Sequence, residues 1–222
     1  MEDSRPSRVC FIAGTLGQGG AERQLFYMVS TLSRMGIQCQ VLSLDNGQFY
    51  HSRLLNIGVP VIYVGRFGSP LLRLVSIIRE VRRWQPDIVQ SAHLYTNLYA
   101  AIAARIIGST SIGANRSSVI HEMQLLGYWG RLCLRYPHAI TTNSVQALEI
   151  IRDNTLTLRP TFLLENAVDC EQFKPLLASR KAPSLICTLA VGRLVELKRH
   201  GLYLRAFARA RQSVPNLLAR II

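Results

Sequence analysis

The sequence predicts an α/β protein built around a mostly parallel sheet. Apolar runs of strand length alternate with longer helical patterns from one end of the chain to the other, as in successive strand-helix-strand units. A glycine-rich turn at residues 14–20 separates the first apolar run from the first helical pattern. We therefore expect a Rossmann-like domain of six or seven strands, followed by the beginning of a second Rossmann-like domain.

Apolar residues spaced three and four positions apart predict the helices of the first domain. Helix 21–35 has such a face and ends at Gly36, a residue that commonly terminates helices. Helix 70–84 begins at Pro70, which is favoured at the first helical position because its missing N–H has no acceptor there. The remaining helical patterns lie at 96–107, at 119–136 and from Ser144 onward.

The strands of the first domain are short apolar runs bounded by turn residues. Residues 45–58, which connect the second and third strands, are rich in turn-forming residues, and we expect them to form a loop. The expected strands are 9–13, 40–44, 59–64, 88–91, 111–114, 139–142 and 162–164.

A change in composition near Pro175 predicts a domain boundary. Residues 175–183 contain prolines and charged residues without apolar periodicity, and we interpret them as a linker after a first domain at 1–174. The second domain begins at 184 with strand 185–191, helix 199–212 and strand 217–222. A single strand-helix-strand unit cannot cover both faces of its sheet, so 184–222 is expected to be the truncated start of a second Rossmann-like domain.

The charge of the chain indicates an anionic partner. There are 26 basic and 13 acidic residues, a net charge of +13, and 23 of the basic residues are arginines. Arginine binds phosphate through two parallel hydrogen bonds, so nucleotide diphosphates, nucleic acids and anionic lipids are all suitable partners. A general arginine bias of the genome would produce the same composition.

The cysteine pattern and the apolar runs favour a cytoplasmic protein. Five cysteines are scattered without a Cys-x-x-Cys pair or a zinc-like spacing, so we expect reduced thiols and no metal site. The polar start of the chain leads directly into a strand, which does not resemble a secretory signal. The longest apolar stretch, at 98–107, contains Arg105 and is too short to cross a bilayer.

The glycine-rich turn is the first candidate site. Gly17, Gly19 and Gly20 lie between a strand and a helix, where backbone N–H groups and the helix dipole favour an anion. A tight turn can also be glycine-rich without any ligand. The spacing does not match the dinucleotide pattern Gly-x-Gly-x-x-Gly, although Asp45 after the second strand keeps a dinucleotide-dependent oxidoreductase as an alternative.

Three further residues lie at positions where α/β proteins bind ligands. His93 follows the strand 88–91, although a lone histidine is often structural. Arg193 follows a strand and Lys198 precedes a helix, so the two cations lie near a helix N-terminus and could neutralise a diphosphate. Two solvated surface cations would give the same pattern.

Several of these segments, taken in order, resemble the GT-B glycosyltransferases of the family 4 type. The first is Gly-Gly-Ala-Glu-Arg at 19–23, and the second is Pro-Asp-Ile-Val at 86–89 with His93. The others are Thr-Asn-Ser at 142–144, Glu-Asn-Ala-Val-Asp at 165–169, and Val-Gly-Arg-Leu at 191–194 with Lys198 and Ala-Phe-Ala at 206–208. The resemblance covers nearly the whole chain, and it implies that 1–174 is the acceptor-side domain and that 184–222 is the truncated start of the nucleotide-sugar-binding domain.

The resemblance implies a retaining glycosyltransferase of the hexosyltransferase type. It implies transfer from a nucleotide-diphosphate sugar to a glycan or a lipid-linked acceptor in cell-envelope polysaccharide synthesis. In this family the histidine corresponding to His93 faces the transferred sugar, and the cations corresponding to Arg193 and Lys198 bind the diphosphate. The glycine turn would assist donor binding, Arg116 would contact the acceptor, no cofactor or metal would be needed, and no nucleic acid is expected as a partner.

One expected feature of the family is missing from the sequence. The second domain of such enzymes carries two glutamates eight positions apart, and no two glutamates of this chain have that spacing. We therefore expect that this chain alone is an incomplete and inactive portion. Arg199 also replaces the glycine that is usual after the lysine, and Gly201 stands where an aspartate is common.

Basic and aromatic residues also favour contact with an anionic membrane. Residues 66–84 and 116–136 both combine arginines with tryptophan or tyrosine, and an apolar stripe runs from Ile120 to Cys133. Core packing would explain the stripe equally well. The alternative function is therefore a non-catalytic module that docks on a membrane or a partner protein, and a peripheral location on the cytosolic face is consistent with either function.

Overall fold

The computed structural model describes residues 6–153, 156–174 and 186–222. The chain divides into two compact units, Met1–Val168 and Asp169–Ile222. The predicted linker at 175–183 lies outside the described residues. The two units are therefore considered separately.

The first unit contains one parallel seven-stranded sheet, which confirms the predicted α/β fold. The strand order is β3-β2-β1-β4-β5-β6-β7, and every neighbouring pair is parallel. The strands are β1 Arg8–Ala13, β2 Gln38–Ser43, β3 Val61–Tyr63, β4 Ile88–Ser91, β5 Thr110–Asn115, β6 Ala139–Thr142 and β7 Thr161–Leu163.

Helices cover both faces of this sheet. Most were expected from the apolar periodicity, and the helix at 70–84 has the predicted ends. The helices of the first unit are α1 Gly20–Arg34, α2 Phe49–Asn56, α3 Pro70–Trp84, α4 Asn97–Ile107, α5 Val119–Leu126, α6 Tyr128–Arg135 and α7 Val145–Asp153. No helix in the described part of the chain is both long and apolar enough to cross a membrane.

The expectation of a loop at 45–58 was wrong, because helix α2 lies within it. The helix is eight residues long and buries Tyr50 and Leu54, which are four positions apart and therefore share one face. The Tyr50 ring packs on Phe26 of helix α1 with ring centroids 5.6 Å apart. A helix this short is marginal in isolation, so tertiary packing, rather than local propensity, stabilises it.

The predicted helical region at 119–136 is divided in two at Gly127. This residue has φ 53° and ψ −126°, a conformation that glycine adopts without steric cost. The predicted apolar stripe therefore does not lie on one continuous helix. Met123, Leu126 and Cys133 pack into the core, whereas Trp129 is 63% exposed.

Among its described residues, the second unit contains a two-stranded parallel sheet and one α-helix. Strand β8 is Ile186–Ala190, helix α8 is His200–Ser213 and strand β9 is Leu217–Ile221. This is the strand-helix-strand arrangement expected for the beginning of a second Rossmann-like domain. The division between the units falls after Val168, six residues before the end of the predicted first domain.

Burial in helix α3 gives the first testable prediction. Ile77 is fully buried between the helix and the sheet, whereas Val75 on the same helix is 61% exposed. We expect Ile77→Ala to lower the free energy of unfolding of the first unit by about 2–5 kcal/mol, because it removes buried methyl groups and leaves a cavity. Val75→Ala should change it by less than about 0.5 kcal/mol.

Urea unfolding followed by the fluorescence of Trp84, which packs against the same core cluster, measures both effects. Equal midpoints for Ile77→Ala and Val75→Ala would contradict the assigned packing of helix α3.

Candidate functional site

The candidate site lies at the carboxyl edge of the first sheet, where strands β1 and β4 are neighbours. Ile12 of β1 pairs with Ser91 of β4, while β2 lies on the other side of β1. The chain leaves β1 and β4 toward opposite sides, so a crevice forms between the two loops. The glycine-rich turn follows β1 and His93 follows β4, so both predicted features line this crevice.

The hydrogen bonds of His93 define the tautomer of its ring. The backbone N–H of Gly14 donates to His93 Nδ1 over 3.2 Å, and a backbone N–H can only donate. Nδ1 must therefore be unprotonated, and Nε2 carries the hydrogen of the neutral ring. Nε2 lies 3.3 Å from Glu22 Oε1 and donates to this carboxylate. Both ring nitrogens are thus engaged within the protein.

Glu22 is a site residue whose role the sequence analysis did not assign. It lies in the first turn of helix α1 and is only 7% exposed. A carboxylate near a helix N-terminus is stabilised by the helix dipole. Its other oxygen, Oε2, folds back over Gly19, where a Cβ atom would lie only 2.0 Å away. Gly19 therefore makes room for the carboxylate that holds His93.

The glycine-rich turn is closed by its own hydrogen bonds. The N–H of Leu16 donates to Gln48 Oε1 over 2.6 Å, the N–H of Gly17 donates to Thr15 Oγ1 over 3.2 Å, and the N–H of Gly19 donates to the carbonyl of Gly17 over 3.0 Å. In this conformation, donor binding by Gly17 or Gly19 requires these N–H groups to exchange their partners. No atom that would contact a Cβ at Gly20 lies within 4 Å.

The phenol ring of Tyr95 lies between His93 and the glycine-rich turn. This ring stacks on His93 with centroids 5.4 Å apart, and its hydroxyl packs against Gly14, where a Cβ would collide with it. Burial, together with the carboxylates of Glu22, Glu122 and Asp45, raises the pKa of Tyr95 to about 12. The phenol therefore remains protonated at neutral pH and can donate a hydrogen bond.

A second polar group lies at the ends of strands β5 and β6. Asn115 donates from Nδ2 to Glu122 Oε2 over 3.0 Å, and burial raises the pKa of the Glu122 carboxyl although hydrogen bonds from Ser117 and Asn115 oppose this. Asn115 pairs with Thr142 across the two strands. Asn115 Oδ1 and Thr142 Oγ1 are buried and have no hydrogen-bond partner in the described part of the chain, so this end of the sheet has unused hydrogen-bonding capacity.

Arg116 follows strand β5 directly and is half-buried. Its Nη1 donates to the carbonyl oxygen of Leu164 over 2.8 Å, and burial lowers the pKa of the guanidinium. The structure thus brings the glycine turn and His93 together, while Arg116 occupies the same edge of the sheet at strand β5.

Arg193 and Lys198 lie in the second unit, in the loop between strand β8 and helix α8. Both side chains are exposed, and no carboxylate among the described residues forms an ion pair with either. The loop is held by a hydrogen bond between His200 Nε2 and the Arg193 carbonyl over 3.0 Å. The aliphatic part of Lys198 approaches Gly192, where a Cβ would lie 3.4 Å from the lysine side chain.

Arg199, which replaces the glycine usual in the family at this position, adopts an unfavourable backbone conformation. This residue has φ 51° and ψ 37°, the left-handed conformation that glycine adopts readily and other residues adopt at a cost of about 1–2 kcal/mol. Its carbonyl accepts the N–H groups of Leu202 and Tyr203 at the start of helix α8. The loop therefore keeps a glycine-like conformation although it carries an arginine.

A surface depression lies beside the N-terminus of helix α8. Arg199, His200 and Arg205 contribute basic groups to its lining, together with Glu196. The sequence analysis did not assign Arg205; its position one and a half turns into an amphipathic helix gives no local signal for a ligand. In the part of the chain that the structure describes, no group of three or more His, Cys, Asp or Glu residues could hold a metal ion.

Residues 18–172 match the family described as Glycosyltransferase Family 4. No curated protein sequence matches the chain significantly. The structure is similar to Anabaena HepE in complex with UDP-glucose, with a TM-score of 0.76 and 16% identity over 98% of this chain and 60% of HepE.

Two further solved structures have the same fold. The lipopolysaccharide outer core galactosyltransferase WaaB in its apo form has a TM-score of 0.67 and 17% identity over 96% of this chain and 68% of WaaB. MurG from Acinetobacter baumannii has a TM-score of 0.59 and 16% identity over 98% of this chain and 66% of MurG. These likenesses confirm the GT-B fold class. The chain spans roughly two thirds or less of the length of these three proteins.

The packing of Glu22 over Gly19 can be tested with two neighbouring glycines. Gly19→Ala should displace the Glu22 carboxylate from His93, because the new Cβ would lie 2.0 Å from Oε2. Gly20→Ala, where the Cβ meets open space, should leave the pair intact. Nitrogen-15 NMR of the histidine rings should show the Nε2-protonated tautomer of His93 in the unaltered chain and in Gly20→Ala, with a changed ring spectrum in Gly19→Ala. Identical His93 spectra in both variants would show that Glu22 does not hold the ring.

Proposed function

Because this chain belongs to Glycosyltransferase Family 4, we propose that it is the acceptor-side part of a retaining hexosyltransferase. The enzyme transfers a sugar from a nucleotide-diphosphate sugar to a glycan or a lipid-linked acceptor in cell-envelope polysaccharide synthesis. The observation that carries this proposal is the match to the family over residues 18–172, joined to a crevice at the point where the strand order reverses. Family membership leaves the dinucleotide-dependent oxidoreductase without support.

The donor is proposed to bind through cations of the second unit. Arg193 and Lys198 are exposed beside the N-terminus of helix α8, where the dipole also favours an anion. As the bond between sugar and diphosphate breaks, negative charge develops on the diphosphate, and fixed cations stabilise it. Basic side chains and the helix N-terminus then perform the neutralisation without a metal. HepE has been crystallised with UDP-glucose, which supports a uridine nucleotide as the first donor to test.

The acceptor is proposed to bind at the carboxyl edge of the first sheet. His93 is held as a neutral ring by Gly14 and Glu22, and with both nitrogens occupied it contributes a positioned ring surface for packing against the sugar rather than a covalent nucleophile. Sugar hydroxyls donate well to carboxylates and accept from a phenol, and both groups are present in Glu22, Glu122 and Tyr95. The glycine turn, with Gly17, Gly19 and Gly20, borders the same crevice and is proposed to contact the donor sugar after rearrangement.

We further propose that these 222 residues alone bind substrate without turnover. The glutamate pair expected for the donor sugar and the ribose is absent from the sequence given. To stabilise the transition state more than the bound substrates, an enzyme needs groups on both sides of the reacting bond. This chain supplies the groups of the acceptor side but only some of those that bind the donor.

An anionic membrane surface on the cytosolic side is the proposed location of the acceptor. Four large apolar side chains on or beside helices α5 and α6 are exposed, among them Leu125 at 71% and Trp129 at 63%. The exposed Arg131 lies on the same short helix as Trp129. Apolar side chains next to arginine suit the boundary between headgroups and acyl chains. The four residues, here called the α5-α6 patch, are Ile120, Leu125, Tyr128 and Trp129.

This patch also favours the second candidate function, a docking module without catalysis. Such a module needs the exposed patch but not the cations of the second unit. Binding of a nucleotide therefore distinguishes the two functions.

The donor proposal is tested by calorimetry of UDP with the 222-residue chain. Arg193→Ala should weaken UDP binding about tenfold or more, because a hydrogen bond to a charged group contributes about 1.5–3 kcal/mol. Arg209→Ala removes the same charge from an exposed position farther along helix α8 and should leave the affinity unchanged. Absence of UDP binding by the unaltered chain would contradict a donor half-site and favour the docking module.

The membrane proposal is tested by co-sedimentation with vesicles of phosphatidylglycerol and phosphatidylcholine. We expect binding that falls when salt is raised from about 0.1 to about 0.5 M, because screening shortens the reach of the arginines. Trp129→Ala should weaken binding further, since the tryptophan loses apolar contact with the bilayer. Leu158→Ala, at a residue that is 95% exposed outside the patch, is the matched control and should behave like the unaltered chain. Equal binding to uncharged vesicles would contradict the electrostatic part of the proposal.

A further inference from the structure

Arg116 is a cation that the described protein does not neutralise. It lies directly after strand β5, half-buried at the carboxyl edge of the sheet. Nη1 of its guanidinium donates a hydrogen bond to the carbonyl oxygen of Leu164, which is a neutral acceptor. A guanidinium carries five N–H donors, so most of its capacity remains for a ligand.

No carboxylate of the described residues pairs with this guanidinium. The nearest acidic neighbour in sequence, Glu122, accepts instead from Asn115, and the carboxylates of Glu22 and Glu171 contact His93 and Lys174. Burial lowers the pKa of the guanidinium, and no nearby acid opposes this effect. Burying a charge without an opposite charge is unfavourable, so a bound anion would be stabilised here more than at an exposed arginine.

The segment that begins helix α7 lies next to Arg116. Asn143, at the end of strand β6, donates from Nδ2 to the carbonyl of Arg116 over 3.4 Å, which places the start of helix α7 beside Arg116. Ser144 caps this helix by accepting the N–H of Ala147. The first N–H groups of a helix have no intrahelical acceptor, and they carry a partial positive charge.

From these contacts we propose that Arg116 binds an oxyanion, a phosphate ester or a carboxylate, on the acceptor. This inference rests on the proposed glycosyltransferase function and specifies its substrate class: an acceptor that carries an acidic group close to the hydroxyl that is glycosylated. The guanidinium pairs with two oxygens of the anion, and the start of helix α7 contributes N–H donors. A neutral sugar would leave the cation uncompensated and would bind more weakly.

The proposal is tested by NMR titration of the nitrogen-15-labelled 222-residue chain with three probes: glucose, glucose 6-phosphate and glucuronate. We expect the two anions to shift the Arg116 Nε–H signal and the amide signals of residues 143–146, and glucose to leave them unchanged. Arg116→Gln should weaken binding of the anions at least about tenfold, and Arg116→Lys should recover part of it, since the charge remains but the planar fork is lost.

Arg34→Gln is the matched control, because it removes one exposed charge at the far end of helix α1 and should not change the titration. A response to glucose 6-phosphate alone assigns a phosphate ester, a response to glucuronate alone assigns an acidic sugar, and a response to both assigns an oxyanion in general. All three support the proposal. Equal shifts with glucose, or anion shifts that persist in Arg116→Gln, would overturn it.

Calorimetry of UDP with the same samples keeps this test separate from that of the proposed function. Absence of anion binding by the unaltered chain, with intact UDP binding, would overturn the acidic acceptor alone. If Arg116→Gln does not fold, the shift map of the unaltered chain and the titration of Arg116→Lys decide the outcome.

Discussion

The reversal of strand order at β1 is the constraint on which the candidate site depends. Because β1 has β2 on one side and β4 on the other, the segments that follow β1 and β4 diverge and leave a crevice between them. Gly14 and His93 meet across this crevice through one hydrogen bond, and Glu22 closes the arrangement from helix α1. A histidine with both nitrogens occupied is held in one tautomer and one orientation, which is the preparation that a binding surface for a sugar requires.

Acidic and basic side chains lie at different places in the candidate sites. The chain has twice as many basic as acidic residues, yet three of its carboxylates act on Tyr95 at the carboxyl edge of the first sheet. Arg116 is the half-buried cation of the same edge, while the exposed Arg193 and Lys198 belong to the second unit. This distribution suits a neutral hydroxyl-bearing group near His93, an acidic group near Arg116 and a diphosphate beside helix α8. The division follows from the chemistry of the side chains, since carboxylates accept from hydroxyls and guanidiniums pair with oxyanions.

The predicted elements differ in how well local patterns identify them. Helix α3 has a proline at its first position and a long apolar face, so its ends could be read from the sequence. Helix α2 has only eight residues between turn formers, and the partner that stabilises it, Phe26, is more than twenty residues away in the sequence. The break at Gly127 was missed because an isolated glycine within a helical pattern is often tolerated. The packing of Met123 and Cys133, which lie on either side of Gly127, shows that the helix is interrupted there.

The sequence by itself determined the fold class, the family resemblance and the strand ends at which ligand-binding residues lie. It could do so because apolar periodicity and short ordered motifs are local properties. The tertiary structure was needed to show that Glu22 holds His93, that Gly19 makes room for this carboxylate, and that Arg116 has no acidic partner among the described residues. Glu22 and His93 are 71 positions apart, and their contact arises from the order in which the strands assemble, which no local pattern encodes.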